Sequence, residues 1–296
     1  YKATGINLKS MPLSETDRLV TILTREYGLI RAVAPGARKH HSRFGGRSEL
    51  FVVNELLIAK GRSLDKITQA ETVESYPGLA KQLSKLAASQ YLAEMVLYLA
   101  LSDQPQEELY SVFNEHLRRL EQVPIGHGAS DRSLTNIIAC LCHGIFHLLA
   151  VGGIAPQVHS CCLTKEPLIP RLDSSNFQVG FSFAAGGLLE LQALPSKDNN
   201  STSLTSLPLR LRSGEPPKVN FKLTGVELSL LQQLTKKDLN DLFLIPEADS
   251  HNDRAWLGVE RSLREYAQYH LNRPIRSAML VESCFSTFNS PVEKSL

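Results

Sequence analysis

No stretch of this chain reaches the roughly 18 consecutive apolar residues that a bilayer-crossing helix needs. The longest apolar run, Leu134–Ile154, is interrupted by Asn136, His143 and His147 and reads as a buried helix, so no membrane partner is expected. A signal peptide is not expected either: Tyr1-Lys2-Ala3-Thr4-Gly5 is already strand-like, and the absent Met points to a few residues preceding Tyr1. The five cysteines are odd in number and lack framework spacing, which points to a reducing compartment rather than a disulfide scaffold. There is no P-loop, no G-x-S-x-G, no H-E-x-x-H and no glycine-rich dinucleotide fingerprint, so the common enzyme signatures are missing. No internal repeat is visible. The 43% hydrophobic content is ordinary for a globular chain and allows a sizeable core in one large or two ordinary domains.

What the chain does have is an uneven charge. Residues 1–80 hold twelve Lys/Arg against eight Asp/Glu, while residues 81–296 hold 20 against 22. The positive field therefore sits on the N-terminal part. Within it, Ala34–Arg47 (APGARKHHSRFGGR) carries Arg38, Lys39, Arg43 and Arg47, two histidines, three glycines, Phe44 and no acid. Such a loop repels itself and gains nothing from burial, which points to an anionic partner, most commonly nucleic acid. The plain alternative is a solvated loop with a chance charge cluster.

The first ~75 residues read as β-structure: Tyr1–Lys9, Leu19–Thr24, Gly28–Val33, Leu50–Ala59 and Ile67–Val73, with a hairpin signal at Arg25-Glu26-Tyr27-Gly28. Five short strands with a long loop between the third and fourth fit a small closed barrel of the OB type. Another five-stranded, SH3-like barrel is the runner-up. After Pro77-Gly78 the period becomes helical from Leu79 to Leu101. Further helices are expected at Glu107–Gln122 and from a Ser130-Asp131 cap to Val151, ended by Gly152-Gly153. Residues 155–220 are rich in Pro, Gly, Ser and Asn, with an apolar island at Phe177–Phe183 and an exposed insertion at Lys197–Ser206. Helical periodicity returns at Thr224–Leu234, Lys236–Leu244 and Ala255–Leu271, and the tail after Glu282 is polar. The fold class is thus α+β and multidomain: a barrel over 1–78 and a helical domain over 79–296 with an irregular insertion at about 155–220.

An OB barrel offers a groove where cations track phosphates and aromatics stack bases. The candidate DNA-binding residues are Arg31, Arg38, Lys39, Arg43 and Arg47, with Lys60, Arg62 and Lys66 as a second group. Phe44 has two readings, a base stack or a loop anchor packed on the barrel. Asp17-Arg18 reads as a local structural pair. Cys140, His143 and His147 fall on one helix face, where Cys161, Cys162 or His159 could complete a metal site; satisfied core histidines and a buried thiol are the alternative. Three classes stay open on these residues: a DNA-binding mediator, an RNA-binding OB protein, and an enzyme built around His143 and His147.

The order of several short motifs resembles the RecO family. They are Tyr1-Lys2-x-Thr4-Gly5-Ile6-x-Leu8-Lys9, Ser14-Glu15-x-Asp17-Arg18-Leu19, Ala34-Pro35-Gly36-Ala37-Arg38-Lys39, Ser42-Arg43-Phe44-Gly45-Gly46 and Gly61-Arg62-Ser63-Leu64-Asp65-x-Ile67. Leu263-Arg264-Glu265-Tyr266 and His270-Leu271-x-Arg273-x-x-x-Ser277 resemble the family's last helix. The resemblance implies an OB-fold N-terminal domain, a helical remainder, no catalytic turnover and a cytoplasmic, nucleoid-associated location. It implies binding of single- and double-stranded DNA, annealing of complementary strands, and work with RecR to load RecA onto DNA coated by single-strand-binding protein. The C-terminal tail of that coating protein would dock in the helical domain, where Arg118, Arg119 and Arg132 are candidates by position. Some members carry a four-cysteine zinc hairpin. Here only Cys161 or Cys162 stands near the first pair, and Glu190 and Ala193 stand where the second would be. No metal and no other cofactor is expected, and packing would hold the hairpin.

Overall fold

The computed structural model describes residues 1–124, 133–174, 176–194, 217–236 and 250–285, with only backbone for 250–253. The chain forms two compact units: Tyr1–Gly144 with Ile275–Phe285, and a second within Ile145–Pro274.

In the first unit, β1 (Lys2–Pro12), β2 (Arg18–Thr24), β3 (Gly28–Ala34), β4 (Val53–Ala59) and β5 (Asp65–Glu74) close into a barrel in the order β1-β2-β3-β5-β4. β4 returns to pair with β1 and seals it. This is the OB-like architecture expected from the strand pattern. Alternate residues point inward, so Ala3, Val20, Ile22, Ala32, Ala34, Leu56, Ile58 and Ile67 form one interior cluster. The β2–β3 turn relies on Gly28 at φ +65; a Cβ there would meet the Leu101 carbonyl at 2.0 Å. β4 starts at Val53 rather than Leu50. Phe51 adopts φ 61 and gives its N–H to the Asn7 carbonyl, so the chain is still turning at that point.

The first unit continues with a 3-10 turn at Pro77–Lys81, then α1 (Leu83–Leu99) and α2 (Glu107–Gln122). Helical periodicity begins at Leu79, but α1 starts four residues later because Gln82 is extended and the Gly78 N–H is held by Glu121 Oε1 at 2.8 Å. α2 buries Leu109, Tyr110, Phe113, Leu117 and Leu120 along one face. α3 (Ser133–Val151) runs to Gly152-Gly153, with Gly153 at φ +71. The Ser130-Asp131 cap lies outside the described residues. α3 is the one described helix long and apolar enough to cross a membrane, yet its residues Ile137 to Ile145 are buried in protein.

The second unit holds β6 (Gln178–Ser182), β7 (Gly187–Leu189) and β8 (Phe221–Thr224), an antiparallel sheet in the order β7-β6-β8. The Phe177–Phe183 island is thus mostly strand β6. Thr224 and Glu227 form a reciprocal capping box that starts α4 (Gly225–Gln233). α5 (Ser250–Leu271) packs Tyr266 on Phe181, ring centroids 5.3 Å apart. α6 (Ala278–Phe285) belongs to the first unit and packs on α1. The insertion at Lys197–Ser206 and the helix expected at Lys236–Leu244 fall outside the described residues, except for Lys236.

Candidate nucleic-acid interface

The strand register decides which cations can act together. Lys9 of β1 pairs with Thr21 of β2, and Thr21 pairs with Arg31 of β3. Directly paired residues share a face. Val20 and Ala32 point into the barrel, so Lys9, Thr21 and Arg31 form a row on its outside. Val33, two residues from Arg31, pairs in parallel with Lys66, which adds a third exposed cation. Lys9 was not among the sequence candidates. The only local signal for it is its place on an alternating strand; its neighbours come from pairings that sequence does not state.

The Ala34–Arg47 loop sits where β1 and β2 turn. Arg38 donates its backbone N–H to the Thr16 carbonyl at 2.9 Å and its guanidinium to the Ser14 carbonyl at 2.6 Å. Asp17 Oδ1 accepts the Gly36 N–H at 2.8 Å and the Thr16 hydroxyl at 2.9 Å. These bonds, the Gly36 bond foremost, hold the Asp17 carboxyl below its ordinary value. Arg18 pairs with Glu49 at 2.9 Å, so both members of Asp17-Arg18 have structural work.

Within the loop, Ala37 and Phe44 point inward, while Arg38, Lys39, His40, His41 and Arg43 are exposed. Phe44 is 7% exposed and joins the barrel cluster. That is the anchoring geometry; a base stack would require the ring to leave the cluster. The Arg43 guanidinium lies 5.8 Å from the Phe44 ring centroid. Arg47 is half-buried. Its guanidinium donates to the Arg43 carbonyl at 2.8 Å, and its own carbonyl accepts from Asn7 and Asn54 at 2.8 and 2.9 Å. Arg47 therefore shapes the loop end more than it faces outward.

Lys60 and Arg62 stand on the β4–β5 turn, at the far end of β1 from the loop. Lys60 lies over the Tyr1 ring at 6.0 Å and 3.7 Å from Asp65. Asp65 organises this turn by accepting the Gly61 N–H at 3.1 Å and the Tyr1 hydroxyl. The nine sequence candidates are thus spread over the barrel rather than gathered in one cluster. Arg31 and Lys66 occupy the outer face, the loop one end, and Lys60 and Arg62 the other.

The helical arginines are already engaged. Arg118 binds Glu74 at 3.1 Å and Glu115 at 2.7 Å, and Arg119 binds Glu115 at 2.8 Å. Arg132 lies outside the described residues. Arg119 also stands 3.1 Å from His143 Nδ1. A guanidinium only donates, so that nitrogen is placed to accept. His116 of α2 meets the His143 ring edge-on at 5.2 Å. Burial pushes the neighbouring Cys140 thiol up.

The residues at the hairpin do not fit a four-ligand zinc site. Cys161 is buried, and its Sγ accepts the Glu190 N–H at 3.3 Å. Burial raises the Cys161 thiol, but hydrogen bonds from Thr164, Glu190 and Leu163 outweigh it and bring the thiol below its ordinary value. Cys162 goes the other way, raised by burial. Glu190 and Ala193 supply no thiol, so a single sulfur faces backbone amides where a metal would need three more soft or imidazole donors. Phe181, Leu188 and Leu189, fully buried, pack the hairpin.

A closed OB-like barrel with a row of exposed cations on β1, β3 and β5, followed by a helical region, defines an OB-type protein. Residues 1–76 match the model for the recombination protein O N-terminal domain, and residues 80–279 match the model for its C-terminal domain. The chain is 56% identical to DNA repair protein RecO of Gloeothece citriformis, covering 96% of each chain. It is 53% identical to that of Nostoc sp. (97% of this chain, 96% of the relative) and 42% identical to that of Gloeobacter violaceus (100% and 97%). The chain belongs to the RecO family.

Proposed function

We propose that this protein is a DNA-repair and recombination mediator that binds single- and double-stranded DNA through the barrel and anneals complementary strands. With RecR it helps load RecA onto DNA coated by single-strand-binding protein, whose C-terminal tail docks in the helical domain. It acts by binding and positioning, without catalytic turnover or cofactor, in the cytoplasm at the nucleoid. The functional division falls at residues 78/79, close to the gap between the two family-model matches.

The observation that carries this reading is the outer row of Lys9, Arg31 and Lys66 leading to the tethered cationic loop. Lysines and arginines on a face without bases to read recognise phosphates, so the expected binding is strongly salt-dependent and nearly independent of sequence. The loop is fixed at its base by Asp17 and Arg38 while its charges stay in solvent. That arrangement presents charge without a large ordering cost on binding.

The test is strand annealing. Purified protein speeds annealing of complementary strands coated with single-strand-binding protein, and prefers DNA oligonucleotides over RNA of the same sequence. No acceleration, or a preference for RNA, overturns the reading.

A further inference from the structure

We propose that the β1–β2 turn uses Met11 and Leu13 as an apolar wedge that enters the base stack of a DNA strand held on the cationic face. The inference rests on the DNA-binding reading above and adds a contact to bases.

Met11 is 39% and Leu13 46% exposed, with the exposed Pro12 between them. Two other large hydrophobic side chains of the barrel are exposed. Tyr27 rests on the Tyr1 ring at 4.7 Å, and Val73 lies near the end of β5. Exposed apolar side chains need no explanation when scattered, but three consecutive ones on one turn make a patch.

The patch is held rigidly. The Leu13 N–H bonds to the Asp17 carbonyl at 3.0 Å, and the Asp17 N–H bonds to Ser14 Oγ at 3.0 Å. The Arg38 guanidinium closes the turn from outside through the Ser14 carbonyl. A turn fixed from both sides loses little freedom when something docks on it.

Its charge surroundings name the occupant. Met11 pairs with Leu19, Leu19 with Val33, and Val33 with Lys66. Met11 therefore shares the outer face with Lys9, Arg31 and Lys66, one row further along. Arg38 and Lys39 stand on its other side, both exposed. The turn also holds two acids, the exposed Glu15 and Asp17, which faces the Gly36 N–H and the Thr16 hydroxyl, and the five cations Lys9, Arg31, Arg38, Lys39 and Lys66 outnumber them. A ligand with a continuous anionic backbone and apolar flat faces beside it matches this pattern, and a single nucleic-acid strand has that form. Met, Leu and Pro are among the side chains that wedge between base steps and unstack them. Unstacked bases are free to meet a complementary strand, so the wedge would serve annealing directly.

The experiment uses the full chain and a single-stranded oligonucleotide carrying 2-aminopurine, whose fluorescence rises when it leaves the stack. Wild type is expected to bind with a strong salt dependence and to raise the fluorescence. The double variant Met11→Ser with Leu13→Ser is expected to keep the salt slope and the circular dichroism spectrum but to lose the fluorescence rise. Leu13→Phe, a larger wedge, is expected to restore the rise in the Met11→Ser background. Retention of the full rise in the double variant overturns the wedge while leaving DNA binding intact, and it assigns the patch to a protein partner instead. A double variant that loses both the rise and the salt slope also overturns it, because the turn is then only scaffolding. Absence of DNA binding by wild type removes both this inference and the reading beneath it.

Discussion

Asp17 Oδ1 accepts the backbone N–H of Gly36 at 2.8 Å, tying the β1–β2 turn to the start of the cationic loop across nineteen residues of sequence. Gly36 is at φ +65, so the bond fixes a backbone bend that favours glycine. Asp17→Ala is expected to leave the barrel folded but to expose 38–43 to proteolysis and to weaken DNA binding. The carboxyl sits below its ordinary value of 3.8, and the Gly36 N–H is the chief cause. A depressed carboxylate stabilises fully above its ordinary value and loses that contribution as pH falls through its folded value. Nicking of the loop should therefore stay constant from neutral pH down to the ordinary carboxylate range and rise only below it. Rising nicking already near neutral pH would refute this role for Asp17.

Phe44 anchors the loop from within the barrel. Phe44→Ala removes a buried ring and is expected to cost about 3–5 kcal/mol in denaturant unfolding. Phe44→Leu keeps most of the apolar volume, so it should retain stability to within about 1.5 kcal/mol and near-normal DNA affinity. A large affinity loss in Phe44→Leu with unchanged stability would assign the ring to DNA instead.

Glu94 on α1 anchors the two residues that lead into α6, the last described helix. Its carboxylate accepts the Ser277 N–H at 2.8 Å, the Ser277 hydroxyl at 2.6 Å, the Arg276 N–H at 3.0 Å and the Tyr98 hydroxyl at 2.7 Å. Burial raises this carboxyl, but the Ser277, Tyr98 and Arg276 bonds bring it below 4.5. Its contribution is thus present above that value and fades as pH falls through the lower one. Glu94→Gln is expected to lower stability by about 1.5–3 kcal/mol, the usual worth of bonds to a charged group, and to speed hydrogen exchange in α6. Unchanged exchange in α6 would argue against this anchor.

At the hairpin, one sulfur faces amide donors. Prolonged chelation is expected to leave the thermal midpoint unchanged. Cys161→Ala is expected to lower it, because the Glu190 N–H loses its acceptor. A fall in midpoint on chelation would contradict the metal-free hairpin.

Much of this was legible in the sequence. Alternation and turn residues located five strands, and the Pro77-Gly78 break located the change to helices. The α2 limits, Glu107–Gln122, match the helix expected after the Asp103-Gln104-Pro105 opening. The cationic loop stood out because its charges are contiguous. Lys9 and Met11 did not, because each is one residue on an ordinary alternating strand. Their meaning comes from Thr21 and Leu19 beside them, and from the parallel contact of Val33 with Lys66. Those pairings are long-range, so no local pattern encodes them. Phe44 had two readings for the same reason: a lone aromatic among cations looks the same whether its ring faces out or in.

The central claim is that cations of the barrel's outer face and loop contact DNA phosphates. Binding to a single-stranded oligonucleotide over a range of salt counts those contacts directly, at about 0.7 in log–log slope for each phosphate neutralised. Wild type is compared with the variant Arg38→Gln, Lys39→Gln, Arg43→Gln and with Lys9→Gln, Arg31→Gln. Each substitution should remove about 0.7 from the slope, so about 2 is lost in the triple variant and about 1.4 in the double. Slopes equal to wild type in both variants, with folding intact, would contradict the account.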